Sequence, residues 1–223
     1  MERIILIETS TSLCSVALAE DGAVTAYRES SAHKAHASLT AVFVQEVLQE
    51  RGVTLSDCDA VCVSKGPGSY TGLRVGVSTA KGLCFGSGLP LIAVGTLDTL
   101  VAQAEGEYKY IIPMIDARRM EVYACVFENG AQITETEPVI VDENSFAEYI
   151  EQGPCLFIGD GAGKCADVIK HPNAHFCQCN PKASAMLSPA MKSYNEKRFE
   201  DVAYFEPFYL KEFVATVSKK KLF

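Results

Sequence analysis

The sequence lacks any long hydrophobic run, and no stretch approaches the roughly 20 apolar residues that a membrane-spanning helix needs. It also lacks a signal-peptide pattern, because Met1, Glu2 and Arg3 lead directly into a strand-like stretch. Hydrophobic residues make up 48% and charged residues 22% of the 223 positions, which is typical of a globular protein. We therefore expect a cytoplasmic protein without a membrane partner.

Positive charge is also scarce in this sequence. The formal net charge is −8 and the isoelectric point is about 5.1, whereas a protein that binds nucleic acid by itself usually has a basic face. The one short basic run, formed by Lys219, Lys220 and Lys221, is interpreted as a solvated tail. Any contact with RNA is therefore expected to come mainly through a partner protein.

No catalytic arrangement of a familiar kind is present. The four histidines fall in two groups, and neither group stands beside a serine or cysteine motif of the known nucleophile types. The nine cysteines are odd in number and lie mostly within apolar runs, so they are interpreted as reduced core residues. No residue is therefore assigned a catalytic role.

What the sequence does contain is an order of strand-like and helix-like segments that occurs twice. In the first half, three strand-like stretches precede a helical pattern at residues 36–51, and further strands and helices alternate after it. Asp21-Gly22 and Asn129-Gly130 are typical of two-residue hairpin turns. In the second half we predict strands at residues 110–116, 121–127 and 132–140, and helices at residues 145–151 and 162–170.

Two copies of a β-β-β-α-β-α unit form the architecture of actin, the sugar kinases and the Hsp70 ATPase domain. We therefore predict an α/β protein of this actin-like ATPase fold, which is ribonuclease H-like (ASKHA). The predicted units are residues 1–105 and residues 106–223, because residues 104–109 are polar and contain a glycine. We also consider that the last helix of the chain packs back against the first unit.

The most distinctive local motif is Gly66-Pro67-Gly68-Ser69-Tyr70-Thr71-Gly72, which joins a predicted strand to a predicted helix. Glycines allow a close backbone approach, and a helix N-terminus offers unpaired N–H groups to an anion. The motif lacks the lysine of a P-loop and the spacing of a dinucleotide fingerprint. A tight turn without a ligand is the alternative, and both stay open. The residues considered for ligand contact here are Gly66, Gly68, Ser69, Thr71 and Arg74.

Two polar turns in the second half are further candidates. Gly159-Asp160-Gly161-Ala162-Gly163-Lys164 is interpreted as a strand-to-helix turn, with backbone contact to a phosphate as the alternative, because Ile158 stands where a P-loop needs its first glycine. The second turn carries a charge cluster, and it is either a solvated turn with internal ion pairs or a site that faces a ligand or a subunit. Its members are Asp116, Arg118, Arg119 and Glu121.

One group of histidine and cysteine residues is a candidate metal site. On a strand, His175, Cys177 and Cys179 would share one face and could ligate zinc, but their spacing matches no paired zinc motif. His33 and His36 stand three residues apart without a third ligand nearby in the sequence. We predict no metal site and assign no role to the group at His175.

Five segments spread over both halves together resemble the TsaB (YeaZ) family. They are residues 7–10, 66–76, 80–83, 115–123 and 207–211. In the last segment Lys211 stands where the family's pattern has arginine. The resemblance implies a paralogue of TsaD that shares its fold.

The resemblance also implies a function. The chain would be a non-catalytic scaffold in a complex with TsaD and the ATPase TsaE. That complex transfers threonylcarbamoyl from its adenylate to N6 of the adenosine beside the anticodon, in tRNAs that read codons starting with A. No cofactor is expected to bind tightly, although ATP or ADP is considered at the interface with TsaD. The alternative is a stand-alone nucleotide-dependent kinase or ATPase, which would need acidic Mg²⁺ ligands near both glycine-rich turns.

One part of the resemblance concerns metal ligands. TsaD-like proteins carry a His-x-x-x-His pair on the helix after the strand that follows the glycine segment. Thr96 and Leu100 occupy those positions here, and leucine cannot ligate a metal. The resemblance therefore implies a partner subunit rather than an enzyme.

The first two predicted helices are the candidate partner surface. The first carries a wide apolar band, in which we expect Val44 to be exposed, and the second carries small residues that permit close approach of another helix. We predict a four-helix contact with TsaD, or with a second copy of this chain when it is isolated. The alternative is that both helices only cover the sheet. The residues of this predicted surface are Leu39, Val42, Phe43, Val44, Val47, Gly72, Val75, Gly76 and Thr79.

Overall fold

The structure is a computed structural model that describes residues 1–32 and 35–211. The predictions for His33 and for the lysine run that begins at Lys219 fall outside these ranges. Within them, no helix is both long and apolar enough to cross a membrane.

The first unit is a five-stranded sheet with two long helices on one face. The sheet order is β3-β2-β1-β4-β5, with β1, β2 and β3 antiparallel and β1, β4 and β5 parallel. Strands β1, β2, β4 and β5 are rich in apolar residues and are buried on both faces of the sheet, whereas the edge strand β3 is only partly buried. The elements are β1 (Arg3–Glu8), β2 (Cys14–Glu20), β3 (Ala23–Ser30), α1 (Ala35–Glu50), β4 (Ala60–Gly66), α2 (Tyr70–Ser87), β5 (Leu91–Gly95) and α3 (Thr96–Val101).

The second unit repeats this topology. Its main path is β10-β7-β6-β11-β12, which matches the first sheet strand for strand, and a small hairpin of β8 and β9 is attached to β6. The elements are β6 (Tyr110–Asp116), β7 (Glu121–Ala124), β8 (Phe127–Glu128), β9 (Ala131–Gln132), β10 (Glu137–Ile140), α4 (Ala147–Ile150), β11 (Cys155–Gly159), α5 (Ala162–Ala166), β12 (Ala174–Gln178) and α6 (Leu187–Asn195). The prediction of a duplicated α/β unit is confirmed.

Two sequence-based details of the second unit are wrong. The predicted strands at residues 121–127 and 132–140 are each divided in two. The division arises because Val126 donates its N–H to the Thr134 hydroxyl at 2.9 Å rather than continuing the ladder of β7. The predicted helices at residues 145–151 and 162–170 are shorter, since each forms little more than one turn.

Both predicted hairpin turns are confirmed by the backbone. Asp21 and Gly22 have φ values of 48° and 79°, and Asn129 and Gly130 have φ values of 52° and 77°. Successive left-handed residues define the turn whose twist matches that of the flanking strands, and Asn-Gly and Asp-Gly adopt it with little strain.

The short helix at the end of each unit lies on the sheet of the other unit. Leu97 and Leu100 of α3 pack against Ile115, Leu156 and Ile158 of the second unit. In the opposite direction, residues 183–195 pack against the first sheet, where their contacts are Ile4, Leu6, Ala60, Cys62, Ile92 and Val94. We call these two segments the exchanged helices.

Residues 199–211 form an extended C-terminal strap across the first unit. Glu200 pairs with Leu91 at the free edge of β5, and the Phe208 N–H donates to the Lys65 carbonyl at 2.7 Å. Between these points the Lys81 ammonium donates to the carbonyls of Ala203 and Phe205. The strap thereby reaches the boundary between the two units.

Candidate functional site

The glycine-rich segment at residues 66–72 brings the start of α2 against the turn that follows β1. The Ser69 N–H donates to the Ser10 carbonyl at 2.6 Å, and the Ser69 hydroxyl accepts the Gly72 N–H. A Cβ at Gly68 would lie 2.8 Å from the Ser10 Cβ, which is closer than real side chains approach. Gly68 is therefore required for packing, and backbone donors at the start of α2 are used within the chain.

A buried polar group lies behind this turn, at the carboxyl ends of β1 and β4. One Glu8 carboxylate oxygen accepts the Ser10 N–H at 2.7 Å and the Ser64 hydroxyl at 2.8 Å. Among the residues that the structure describes, the other oxygen has no hydrogen-bond partner, and neither does the Thr96 hydroxyl. Burial raises the pKa of the Glu8 carboxyl above its ordinary value. Glu8 thus faces the protein interior rather than an open phosphate site.

Only part of the partner surface that the sequence predicts on α1 is exposed in the structure. Val44 is 3% exposed, so the prediction that it is exposed is wrong, and Phe43 and Val47 are also buried against the first sheet. The reason is that a helix on a sheet needs a wide apolar face, and this band supplies it. Leu39 packs partly against the same core. Of the five residues predicted on α1, Val42 is therefore the exposed one, with 41% exposure.

The small residues of α2 divide in the same way. Gly72 and Gly76 are buried, and a Cβ at either position would meet Thr9. They consequently face their own unit, while Val75 and Thr79 are half-buried. By contrast, Gly82 and Gly86 have open space at the Cβ position, and Phe85 between them is 87% exposed. Helical spacing puts Val75, Ser78, Gly82, Phe85 and Gly86 on one side of α2. With Val42, these residues form what we call the outer face.

The two positions aligned with TsaD-type histidines lie in the interior. Leu100 is 0% exposed and belongs to the apolar cluster between α3 and the second sheet. Thr96 is buried at the first position of α3. Across residues 1–32 and 35–211, no three or more His, Cys, Asp or Glu side chains are placed to hold a metal ion.

The candidate zinc group lies at the free edge of the second sheet. His175 and Cys177 are exposed on β12, and Cys179 follows that strand half-buried. Burial is the main cause that raises the pKa of the Cys179 thiol to about 11, which disfavours the thiolate that metals require. His36, the described member of the other pair, is instead hydrogen-bonded through Nε2 to the Thr11 carbonyl at 2.8 Å.

The charge cluster between β6 and β7 is a closely bonded turn. The Lys164 ammonium pairs with Asp116 at 2.5 Å and donates to the carbonyls of Arg119 and Glu121. Asp160, from the second glycine-rich turn, accepts the Asp116 N–H at 2.8 Å, and burial raises the pKa of Asp160 to about 6. The ion pairs of this turn join Asp116 to Lys164 and Glu121 to Lys211, rather than the four cluster residues to one another as the sequence suggests. Arg118 and Arg119 are both exposed.

An aromatic group that the sequence analysis missed joins α2 to the strap. The rings of Tyr70 and Tyr209 lie 4.8 Å apart, and the Arg74 guanidinium lies 4.2 Å from the centre of the Tyr70 ring. Two residues further on, Lys211 forms an ion pair with Glu121 of the second unit. Only the resemblance of residues 207–211 hinted at these contacts, because the partners are distant in sequence.

A cleft between the two units encloses about 290 Å³. Lys65 and Asp98 line it from the first unit, Gln132 and Glu135 from the second, and Phe208 of the strap closes one side. Gly66 and Pro67 of the glycine-rich motif also line the cleft, and Phe208 belongs to the segment 207–211. No motif in the sequence indicates the four polar residues, because the cleft forms only when both units and the strap are assembled.

The fold and these sites were compared with known proteins. The activator of 2-hydroxyisocaproyl-CoA dehydratase from Clostridium difficile superimposes with a TM-score of 0.51 over 88% of this chain and 96% of its own, at 10% identity. That likeness supports the actin-like ATPase fold and nothing beyond it. The family model for TsaD, described as tRNA N6-adenosine threonylcarbamoyltransferase, matches residues 29–218. The duplicated fold and this match define a protein of the actin-like class related to TsaD.

Relatives over the whole length are more specific. The tRNA threonylcarbamoyladenosine biosynthesis protein TsaB of Escherichia coli is 33% identical, with 96% of each chain covered. The protein of that name from Haemophilus influenzae is 40% identical, covering 98% of this chain and 96% of its own. YeaZ from Pseudomonas aeruginosa superimposes with a TM-score of 0.81 at 28% identity, over 94% of this chain and 100% of its own. The chain belongs to the TsaB (YeaZ) family.

Proposed function

We propose that this chain is a non-catalytic subunit of the complex that forms threonylcarbamoyladenosine in tRNA. Two curated relatives that cover nearly the whole chain carry the name of that biosynthesis. In this proposal the chain binds the paralogue TsaD, works together with the ATPase TsaE, and meets tRNA only within the complex. The transfer of threonylcarbamoyl from its adenylate takes place on TsaD.

The observation that carries the proposal is the outer face of α1 and α2. Phe85 is 87% exposed, and burial of its ring by a partner would remove a large apolar area from water. Gly82, in the interior of α2, destabilises the helix by about 1 kcal/mol relative to alanine. Among residues 1–32 and 35–211, nothing lies within 4 Å of a Cβ placed at Gly82 or at Gly86. A second helix that lies close against α2 would explain both features.

A related surface on the paralogue would complete a four-helix contact. Because paralogues share a fold, the same face can also pair with a second copy of this chain, so we propose a homodimer when TsaD is absent. Burial of Phe85 and Val42 in such a contact would contribute about 25 cal/mol per Å² of apolar area, less the cost of association.

The interior of the first unit supports a non-catalytic role for this chain. Leu100 occupies a place where TsaD-like proteins have a metal-ligating histidine, and it is part of the core. Gly68 and Gly72 are in packing contact with residues 9 and 10, which does not fit a nucleotide phosphate held tightly at the start of α2. We propose that ATP or ADP, if involved, binds at the interface with TsaD.

The test is a pair of double variants that add the same charge at exposed apolar positions. We expect Val42→Glu with Phe85→Glu to abolish both the homodimer and the complex with TsaD, as measured by light scattering. The matched control is Ile140→Glu with Tyr204→Glu, since Ile140 is 76% and Tyr204 is 83% exposed outside the outer face. Association that survives in the first variant, with a native circular dichroism spectrum, would place the interface elsewhere.

A functional measurement separates subunit from enzyme. We expect the chain alone to transfer no threonylcarbamoyl from its adenylate to tRNA and to hydrolyse no ATP. With TsaD and TsaE added, transfer should require the wild-type chain and fail with the outer-face variant. ATP turnover or tRNA modification by the isolated chain would favour the stand-alone enzyme instead.

A further inference from the structure

A strip of cationic and aromatic side chains crosses from the first unit to the second beside the C-terminal strap. We infer that this strip contacts the phosphate backbone of an RNA. The inference rests on the proposed function, since it takes tRNA as the RNA that the assembled complex holds. The strip consists of Tyr70, Arg74, Tyr209, Lys211, Arg118 and Arg119.

The strip is continuous through contacts in the structure. Tyr70 and Arg74 lie at the start of α2, and Tyr70 contacts Tyr209 of the strap at 4.8 Å between ring centres. Lys211, two residues after Tyr209, pairs with Glu121. Glu121 in turn donates its N–H to the Arg118 carbonyl at 3.2 Å, which connects the strap to the turn that carries both arginines.

The three arginines of the strip differ from every other arginine in the chain. Arg3, Arg28, Arg51 and Arg198 are all ion-paired with glutamates. Within residues 1–32 and 35–211, by contrast, no carboxylate pairs with the side chains of Arg74, Arg118 or Arg119. Arg74 lies over the face of Tyr70, and the other two are exposed. Guanidinium groups without a carboxylate partner retain the donors that match two phosphate oxygens.

The turn that presents Arg118 and Arg119 is held in one conformation. Their φ values are 70° and 52°, and two successive left-handed residues are uncommon unless one is glycine. Lys164 bonds to the Arg119 carbonyl on one side of the turn, and Asp116 accepts the Arg118 N–H on the other. The two guanidinium groups are therefore presented from a fixed support, which lowers the entropic cost of ordering them on a ligand.

A phosphate polymer fits this strip better than an acidic protein surface does. The proposed function supplies tRNA as a phosphate polymer, and a guanidinium group can donate to two phosphate oxygens at once. The chain as a whole carries a net charge of −8, so the rest of its surface disfavours RNA and any direct contact is expected at the strip, within the complex. Two of the local acidic groups are compensated, because Asp116 pairs with Lys164 and Glu121 pairs with Lys211. A third, Asp160, accepts the Asp116 N–H at 2.8 Å.

The experiment compares charge-matched double variants. Arg118→Ala with Arg119→Ala is measured against Arg51→Ala with Arg198→Ala, which removes the same charge outside the strip. Binding of a fluorescent, unmodified tRNA transcript is followed by anisotropy between about 50 and about 200 mM salt. It is measured for the complex with TsaD and for the chain alone.

We expect the strip variant to bind tRNA severalfold more weakly than wild type. The slope of log binding constant against log salt concentration should be smaller by about 1.4 to 1.8, because each of the two lost phosphate contacts contributes about 0.7 to 0.9. The control should match wild type. Glu121→Gln should act in the opposite direction and strengthen binding, because it removes the carboxylate that pairs with Lys211.

Equal effects of the strip variant and the control would overturn the inference, as would the absence of any tRNA binding by the wild-type chain and complex. If tRNA binding is unchanged but the strip variant no longer associates with TsaD, the strip is a protein interface and the inference is wrong. Light scattering on the same samples reports complex formation. Light scattering therefore separates a failure to form the complex with TsaD, which would contradict the proposed function, from a loss of tRNA binding. If no complex forms, tRNA binding by the chain alone decides whether the strip contacts RNA.

Discussion

Two glutamates on the first sheet show how environment decides the charge of the same side chain. Glu8 is completely buried among hydroxyl groups, and burial raises the pKa of its carboxyl above 4.5. Glu20 receives hydrogen bonds from Arg3 and Arg51, each at 2.8 Å, and the bond from Arg3 is the main cause that lowers the pKa of Glu20 to about 2. These carboxyls should therefore give opposite dependences of stability on pH.

For Glu8 the folded chain binds the proton more tightly than the unfolded chain. The stabilisation is fully present below the unfolded pKa of about 4.5 and is lost as the pH rises through the raised folded-state value. Glu8→Gln keeps the group neutral, so we expect its melting temperature to exceed that of wild type by an amount that grows from pH 5 to pH 9. Thermal denaturation at both ends of that range checks this. A difference independent of pH would show that Glu8 does not titrate in this way.

For Glu20 the direction is reversed. Its ion pairs stabilise the fold above the unfolded pKa of 4.5, and this contribution is lost as the pH falls through about 2. We expect Glu20→Gln to reduce the free energy of unfolding by about 2 kcal/mol at pH 7, the typical value of hydrogen bonds to charged groups. Urea titration at pH 7 and pH 3 should show a smaller loss at pH 3, and an equal loss at both would contradict the assignment.

At the scale of elements, helix α2 contains glycines with opposite surroundings. A Cβ at Gly76 would meet the Thr9 hydroxyl, which donates to the Gly72 carbonyl at 2.9 Å, whereas a Cβ at Gly82 would meet nothing within 4 Å. The two positions lie on the same helix and have the same backbone conformation, so they form a matched pair for one substitution.

We expect Gly76→Ala to destabilise the chain by about 1–3 kcal/mol through overpacking. Gly82→Ala should stabilise it by about 1 kcal/mol, because alanine favours the helix and the space is open. Chemical denaturation of both variants measures these changes. If Gly82→Ala is destabilising, the outer face of α2 is already covered in the isolated chain, as a homodimer would cover it.

The sequence predicts most helices and strands, but it does not predict which of their side chains are buried and which are exposed. Helix α1 was predicted from its periodic apolar residues and the glycine segment from its composition, because both signals are local. The inward orientation of Gly72 and Gly76 depends on Thr9, which is more than 60 positions away in the sequence. Likewise, Val44 and Val42 are both apolar, and only the packing of α1 on β2 decides which one is buried.

At the scale of the whole molecule, the exchanged helices make the two units depend on each other. The inner face of the first sheet is covered by residues 183–195 of the second half, and that of the second sheet by α3 of the first half. The sequence repeat predicts two copies of one unit, and a return of the last helix to the first unit is considered with it. The sequence contains no signal, however, that α3 packs on the second sheet. The reason is that the apolar pattern of a short helix does not specify which sheet it will contact.

We expect fragments 1–105 and 106–211 to be unfolded or aggregated when expressed separately, because each sheet loses the helix that covers one face. The intact chain should unfold in a single transition. Met186 covers the first sheet and Leu100 covers the second. Met186→Ala and Leu100→Ala should each reduce the free energy of that single unfolding transition by about 2–5 kcal/mol. Circular dichroism and calorimetry measure this, and two separate transitions in either variant would show independent units.

The exchanged helices also affect the order of events during synthesis. The first sheet emerges from the ribosome before residues 183–195 have been made, and at about 5–20 residues per second the interval is on the order of 10 s. Through that interval Ile4, Leu6, Ile92 and Val94 lack the side chains that cover them in the finished protein. Translation thus exposes an apolar sheet face of a nascent chain to the surrounding cell contents until the last part of the message is read.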